Sequence, residues 1–286
     1  MRARALLAIT LLGLGCQSAT LPPKKGAPAP PAVDPASVVV FAAGAFSMGH
    51  LKQPQAPYGN DWFLNEAPKR QITLAAFAMD KTEVTVAAYA VFLTKRGGLR
   101  HWSPLQPITV AIAADGVLPP MFSANGGAES LPASYVTWFD ASAYCAWIGG
   151  ALPTEAQWER AATGADATQR YYPWGSDAPT CDRVSFFTGD TLCAQGPSPV
   201  GSHPTGDTPD GLHDMAGNVA EWTADWYGDY PAGDATDPIG PDTGEGRVIR
   251  GGGFHDIPQS LRAAARWPGD PASRSPGVGF RCVYPR

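Results

Sequence analysis

The chain has 286 residues, 44% hydrophobic and 16% charged, which suits one large domain or two small ones with ample material for a core. Gly 32 and Pro 29 together exceed a fifth of the chain, which predicts short elements joined by ordered loops and argues against a helical bundle. The net charge is -5 and no run of Lys or Arg forms a stripe, so nucleic acid is not an expected partner.

Residues 1–16 read MRARALLAITLLGLGC. Arg2 and Arg4 make a basic start, and Ala5 to Gly15 make an apolar run too short to span a bilayer but suited to a signal peptide. The ending Leu-Gly-Cys resembles the lipobox of bacterial lipoproteins, with Gly13 where leucine is usual, so Cys16 is the expected lipidation site. Ordinary cleavage after a small residue is the competing reading. Residues 17–37 are Pro-rich and without apolar periodicity, and are expected to form a tether of about 60 Å at roughly 3.1 Å per residue. The expected product is exported and held at the cell envelope by a lipid anchor, with folding beginning at Val38.

Val38 to Gly49 reads as a strand pair turning at Gly44, and residues 50–69 as a polar, Pro-rich loop. Arg70 to Asp80 predicts one further strand. Thr85 is a candidate cap for a helix carrying Ala87, Tyr89, Phe92 and Leu93, stopped at Gly97-Gly98. Asp140 is a candidate cap for a second helix, with Ala143, Tyr144 and Trp147 on one face. Thr154 and Gln157 have capping-box spacing for a third, EAQWERAA. Beyond Gly164 the chain reads as loop, with short strands at Arg247–Arg250 and Gly279–Tyr284.

Five cysteines are present. With Cys16 taken by lipid, four remain, and four allow three pairings. Export permits disulfides. Cys181 and Cys193 share one loop-rich segment and are natural partners, which leaves Cys145 with Cys282. Free buried thiols are the alternative.

From Val38 onward the chain carries, in order, FSMG (Phe46–Gly49), DKTEVTVAAYAVFL (Asp80–Leu93), VTWFDASAYCAW (Val136–Trp147) and LPTEAQWERAA (Leu152–Ala162). YPWG (Tyr172–Gly175), GLHDMAGNVAEWTADWY (Gly211–Tyr227), RVIRGGGF (Arg247–Phe254) and GFRC (Gly279–Cys282) follow. In this ordered set residues 38–286 resemble the formylglycine-generating-enzyme, or sulfatase-modifying-factor, domain. The resemblance implies an irregular, loop-rich α+β fold related to C-type lectins, a disulfide between Cys145 and Cys282, and structural calcium. Carried over residue by residue, the calcium ligands fall on Asp214, Gly217, Val219 and Glu221, the middle two through backbone carbonyls, as a hard cation accepts. Ala220 departs from the family pattern, which usually has tryptophan there.

Glu155 and Glu159 sit four apart on one helical face. The plain reading is dipole complementarity near a helix start and a surface pair with Arg160 or another partner. His50, His101, His203 and His213 show no metal spacing among themselves.

The enzyme of this family holds two copper-binding cysteines after the RGG strand. Here that segment is RGGGFHDIPQSLRAAAR (Arg250–Arg266), without a cysteine, so copper is not expected. The expectation is a non-catalytic binding or assembly domain for an unknown protein or carbohydrate ligand. Arg250, His255, Asp256, Arg262 and Arg266 are its candidate ligand surface, with Arg262 and Arg266 alternatively internal. The runner-up is an oxidoreductase or protein-modifying enzyme with a different site. Its natural candidate, His255-Asp256, reads as the polar edge of a loop, because adjacent strand residues diverge.

Overall fold

The computed structural model describes residues 33–50, 64–96, 98–112, 119–165 and 170–286. The signal sequence, Cys16 and the tether up to residue 32 lie outside the described residues. Within the described part of the tether, Asp34 caps a short 3-10 turn, Pro35–Ser37, by accepting from the Ala36 N–H. Pro31–Arg286 forms one compact unit.

Strands β1 (Val38–Phe41) and β2 (Gly44–Met48) form as expected but do not pair with each other. The stretch read as one strand, Arg70 to Asp80, breaks at Ala75-Ala76 into β3 (Arg70–Leu74) and β4 (Phe77–Asp80). β2 pairs with β3, and β1 with β4, both antiparallel. The chain therefore crosses between two sheets at each of the two breaks, and Gly44 opens a strand rather than turning one. β5 (Ile108–Ala111) and β6 (Met121–Ala124) make a separate hairpin.

Three helices follow the caps written in the sequence. In α1 (Val86–Arg96) the Thr85 hydroxyl accepts from the Ala88 N–H at 3.2 Å. The cap of α2 (Trp138–Trp147) lies three residues before the expected one. Thr137 is the N-cap, and Asp140 is the reciprocating N3 residue of a capping box. α3 (Glu155–Thr163) has the expected Thr154–Gln157 box.

The segment beyond Gly164 is more ordered than its composition suggests. β7 (Ala220–Trp226) lies inside a four-stranded sheet of order β10-β9-β7-β11, with β9 at Arg247–Arg250, β10 at Arg266–Gly269 and β11 at Val278–Gly279. β8 (Ala235–Thr236) extends the β2-β3 sheet, and β12 (Val283–Pro285) the β1-β4 sheet. The expected final strand is thus two strands in different sheets, separated by Phe280–Cys282.

One apolar cluster holds α1 and α2 together through Tyr89, Phe92, Tyr144 and Phe280, whose rings pack edge to face or tilted. A second gathers Phe46, Met48, Ile72 and Met79 around the fully buried Trp158 of α3. The tryptophans of the conserved-looking strings serve this packing, Trp158 and Trp222 being closed to solvent. Cys145 of α2 is bonded to Cys282, with Cα atoms 5.5 Å apart, and Cys181 to Cys193 at 5.3 Å. Among the described residues no helix is long and apolar enough to cross a membrane.

The two bridges close loops of very different length, with sequence separations of 137 and 12. In the chain-entropy account these contribute roughly 5 and roughly 3 kcal/mol. Replacing Cys145 and Cys282 together by serine is expected to lower the urea midpoint more than the same change at Cys181 and Cys193. Equal losses would contradict that ordering.

Candidate functional site

α3 aims its two glutamates inward, because Trp158 between them anchors the same face in the core. Glu155 is 3% exposed and Glu159 fully buried, so both leave the surface role expected of them. Arg266 grips Glu155 with two bonds, Nε to Oε1 at 2.6 Å and Nη2 to Oε2 at 2.8 Å, and the Tyr230 hydroxyl donates to the same carboxylate. Arg250 bonds Glu159 and caps the Ala264 and Ala265 carbonyls at 2.7 Å each. Gly49 donates its N–H to the other Glu159 oxygen. Burial alone would raise Glu155, but Arg266 and Arg250 outweigh it and hold its carboxyl below the ordinary range.

Arg262 makes a two-pronged bond to Glu66 at 2.6 Å for each prong, and both are buried. Arg250, Arg262 and Arg266 are therefore buried and paired rather than exposed, Arg266 also bordering a cavity of about 300 Å³ with Glu155 and Tyr230. Each is desolvated, and each finds a carboxylate because an unpaired guanidinium could not be buried there. The internal alternative for Arg262 and Arg266 is the one observed. Of the expected surface, only His255 and Asp256 remain accessible.

These two residues sit in a turn, not a strand, and so they converge. Both line a cavity of about 420 Å³, together with Ser260 on its polar side and Ala220, Ile249, Trp267 and Val278 on its apolar side. Asp256 folds back to accept the Gly253 N–H at 2.8 Å. The His255 ring lies directly over Gly277, where an added Cβ would come within 2.0 Å of it. Ala220, small where the resemblance leads one to expect tryptophan, forms part of the cavity wall.

The turn Asp214–Glu221 is held in left-handed backbone at Asp214 (φ 54) and Asn218 (φ 57). Gly217 is required there: its φ is +71, and a Cβ would meet Val184 at 2.1 Å and Ser185 O at 2.4 Å. Asp214 accepts the Gly201 N–H at 2.6 Å. At Glu221, Arg281 holds the carboxylate through Nε and Nη2, and the Trp158 indole N–H donates to it at 2.9 Å. Glu83 also enters this cluster, unnoticed in the sequence. Its Oε1 accepts from Asn218 at 3.0 Å, and its buried Oε2 has no hydrogen-bond partner. Among the described residues no group of three His, Cys, Asp or Glu side chains converges as a metal site, although a calcium site built half of carbonyls needs no such group. Two further histidines are paired with carboxylates: His101 with Asp140 and His213 with Asp207, each at 2.8 Å.

The fold is thus a loop-rich α+β unit with buried Arg–carboxylate pairs, two disulfides and a small polar-rimmed cavity at the His255 turn. The description "Sulfatase-modifying factor enzyme 1-like domain" matches residues 24–285, and the chain belongs to that family. The match begins inside the segment read as tether. A formylglycine-generating enzyme from Thermomonospora curvata is 32% identical over 289 residues, covering 86% of this chain and 92% of that protein. Serine/threonine-protein kinase pkn1 of Chlamydia pneumoniae is 34% identical over 250 residues, but the match spans only 37% of the kinase's length against 86% of this chain. Among solved structures, PvdO from Pseudomonas aeruginosa superposes with a TM-score of 0.65 at 24% identity, covering 87% of this chain and 94% of that one. That likeness supports the fold.

Asp225, on β7 behind the Glu155–Arg266 pair, gives this network a pH signature. It is 4% exposed and accepts the Glu155 N–H at 2.7 Å. Burial, reinforced by the charge of Glu155, pushes its carboxyl up to about 7. The folded state then holds a proton that the unfolded chain, at about 3.9, has released. Unfolding free energy contributed by this group is present below about pH 4 and lost as pH rises through about 7. Asp225→Asn keeps the acceptor oxygen without the charge. Measured by urea unfolding, its stability relative to wild type should climb between pH 5 and pH 7 and then level off. A flat difference would refute this reading.

Proposed function

We propose that the chain is an exported lipoprotein, anchored through Cys16, whose sulfatase-modifying-factor domain binds a partner rather than oxidising a cysteine. The observation that carries this is the fate of the thiols. Of five cysteines, four are bonded in pairs and the fifth is Cys16, so no pair of thiolates is left to hold copper. The segment Arg250–Arg266, which carries the copper cysteines in the enzyme of this family, instead places arginines in the core and His255, Asp256 and Ser260 around a cavity. An apolar floor with a few convergent polar groups suits a ring or short side chain of a protein or carbohydrate ligand. The Chlamydia kinase, matched over part of its length, supports reading this domain as a module that accompanies other activities. The runner-up, an enzyme using His255 and Asp256, draws on the same cavity.

A structural calcium at the Asp214–Glu221 turn is part of the proposal. Asp214, with the carbonyls of Gly217 and Val219, supplies hard oxygen donors, and Glu221 shares its charge with Arg281. What supports a cation here is the surplus of buried carboxylate, Glu83, Asp214 and Glu221 against Arg281, together with the unpartnered Glu83 oxygen. Bound there, calcium would brace the turn from which β7 departs.

The purified domain, incubated under oxygen with copper(I) and a peptide bearing Cys-x-Pro-x-Arg, is expected to leave the peptide mass unchanged. Loss of mass at that cysteine would establish the enzyme instead. In calorimetry, calcium is expected to raise Tm relative to a chelated sample in a concentration-dependent way, and Asp214→Asn to shrink that rise. A Tm indifferent to calcium would remove the metal from the proposal.

A further inference from the structure

A second cavity, of about 390 Å³, lies on a different side of the fold from the His255 turn and is bounded by α1, α2, β4 and β12. It is lined by Asp34, Asp80 and Glu83, by the rings of Tyr144, Trp147 and Tyr284, and by Val91 and the hydroxyls of Ser37, Thr82 and Thr85 among others. Among the described residues no Lys, Arg or His lines it.

The charge on this wall has a definite source. Glu83 turns its Oε1 away to Asn218, which leaves Asp80 and Asp34 to set the potential. Asp80 is fixed in place: Tyr284 donates its hydroxyl to Oδ1 at 2.9 Å, and the Cys282 N–H reaches Oδ2 at 3.1 Å. The Cys145–Cys282 bridge fastens both α2 and the chain entering β12 at this wall, so the carboxylate and the aromatic residues are held by the same staple. The nearest guanidinium, Arg281, is committed to Glu221 and to the Asp80 and Lys81 carbonyls. Burial raises Asp80 to about 6, which still leaves it ionised at neutral pH.

The rings are grouped. Tyr144 and Trp147 stand one turn apart on α2 and contact each other at 5.8 Å in a T-shaped arrangement. Tyr284 and Trp147 are both partly accessible. Fixed negative charge and aromatic faces, with no Lys, Arg or His among the described lining residues, are the chemistry that attracts a positive ligand. Each Asp80 oxygen already accepts one hydrogen bond, so part of its acceptor capacity is spent and the aromatic faces carry more of the contact with a bound cation. That favours a cation that brings charge without donors.

We propose that this cavity binds an alkylated ammonium group, with the cation against Trp147, Tyr144 and Tyr284 and Asp80 as its counter-charge. The site is independent of the His255 cavity and of the thiol argument above.

The test uses the folded, disulfide-intact domain and three probes: choline, its uncharged isostere 3,3-dimethylbutan-1-ol, and the smaller, unmethylated ethanolamine. Isothermal titration, with the Trp147 indole N–H followed by NMR, is expected to show saturable binding of choline and a shift of that resonance. The isostere should bind at least about tenfold more weakly, as should ethanolamine. Trp147→Leu should cost choline about tenfold. Tyr284→Phe, which frees Asp80 Oδ1 while keeping the ring, should retain choline binding and narrow the gap to ethanolamine. Unfolding curves for each variant separate loss of the site from loss of the fold. Equal binding of choline and its isostere, binding that ignores Trp147→Leu in a folded variant, or no saturable binding would each overturn the proposal.

Discussion

The constraint on which the structure depends is the burial of four arginines against carboxylates that lie far away in the chain. Arg250 meets Glu159, Arg266 meets Glu155, Arg262 meets Glu66 and Arg281 meets Glu221, with every partner almost closed to solvent. Such pairs add little net stability compared with apolar side chains of the same volume, because desolvating two charges offsets their attraction. Their effect is on uniqueness. Breaking one leaves a buried charge that costs about 3–5 kcal/mol, so any register other than the observed one is heavily penalised. In a fold of short strands spread over four sheets, this supplies specificity that ladders of two to seven residues cannot. Glu155 is the clearest case, since one carboxylate joins α3, β10 and the loop bearing Tyr230.

Much of the local structure is legible in the sequence, and much of the site is not. The Thr154–Gln157 box and the Thr85 cap are read correctly because a capping residue and its target are three apart, and the chemistry is complete within that window. Asp140 is misassigned for a related reason: in a box of Thr137 and Asp140, either residue alone has the character of a cap. β7 escapes notice because it is buried along nearly its whole length and so shows no alternation. Its Glu221 and Asp225 suggest a surface, whereas both are interior. The arginines placed on a ligand surface are the larger lesson. Their partners lie 91 to 196 residues away in sequence, and nothing local distinguishes a guanidinium that will be paired from one that will face water.

His255 and Asp256 show the opposite case. On a strand they would diverge, but a turn rotates them into one cavity, helped by Gly277, which leaves room for the imidazole to lie flat on the neighbouring chain. Ala220 acts in the same place by omission, since a large side chain there would occupy part of the same wall. The cavity is shaped by small residues, whose contribution is the space they leave.

The segment from Arg250 to Arg266 can also be seen as a removable part with permanent fittings. Its two end residues and Arg262 are clamped to α3 and to the Glu66 turn, while His255, Asp256, Ile257 and Ser260 between them line the cavity. Substitutions in the interval need not disturb the clamps. A lineage could therefore exchange one set of chemical groups for another there, thiols for an imidazole and a carboxylate, without refolding anything around it. The frame conserves itself, and the insert is free to drift toward new uses.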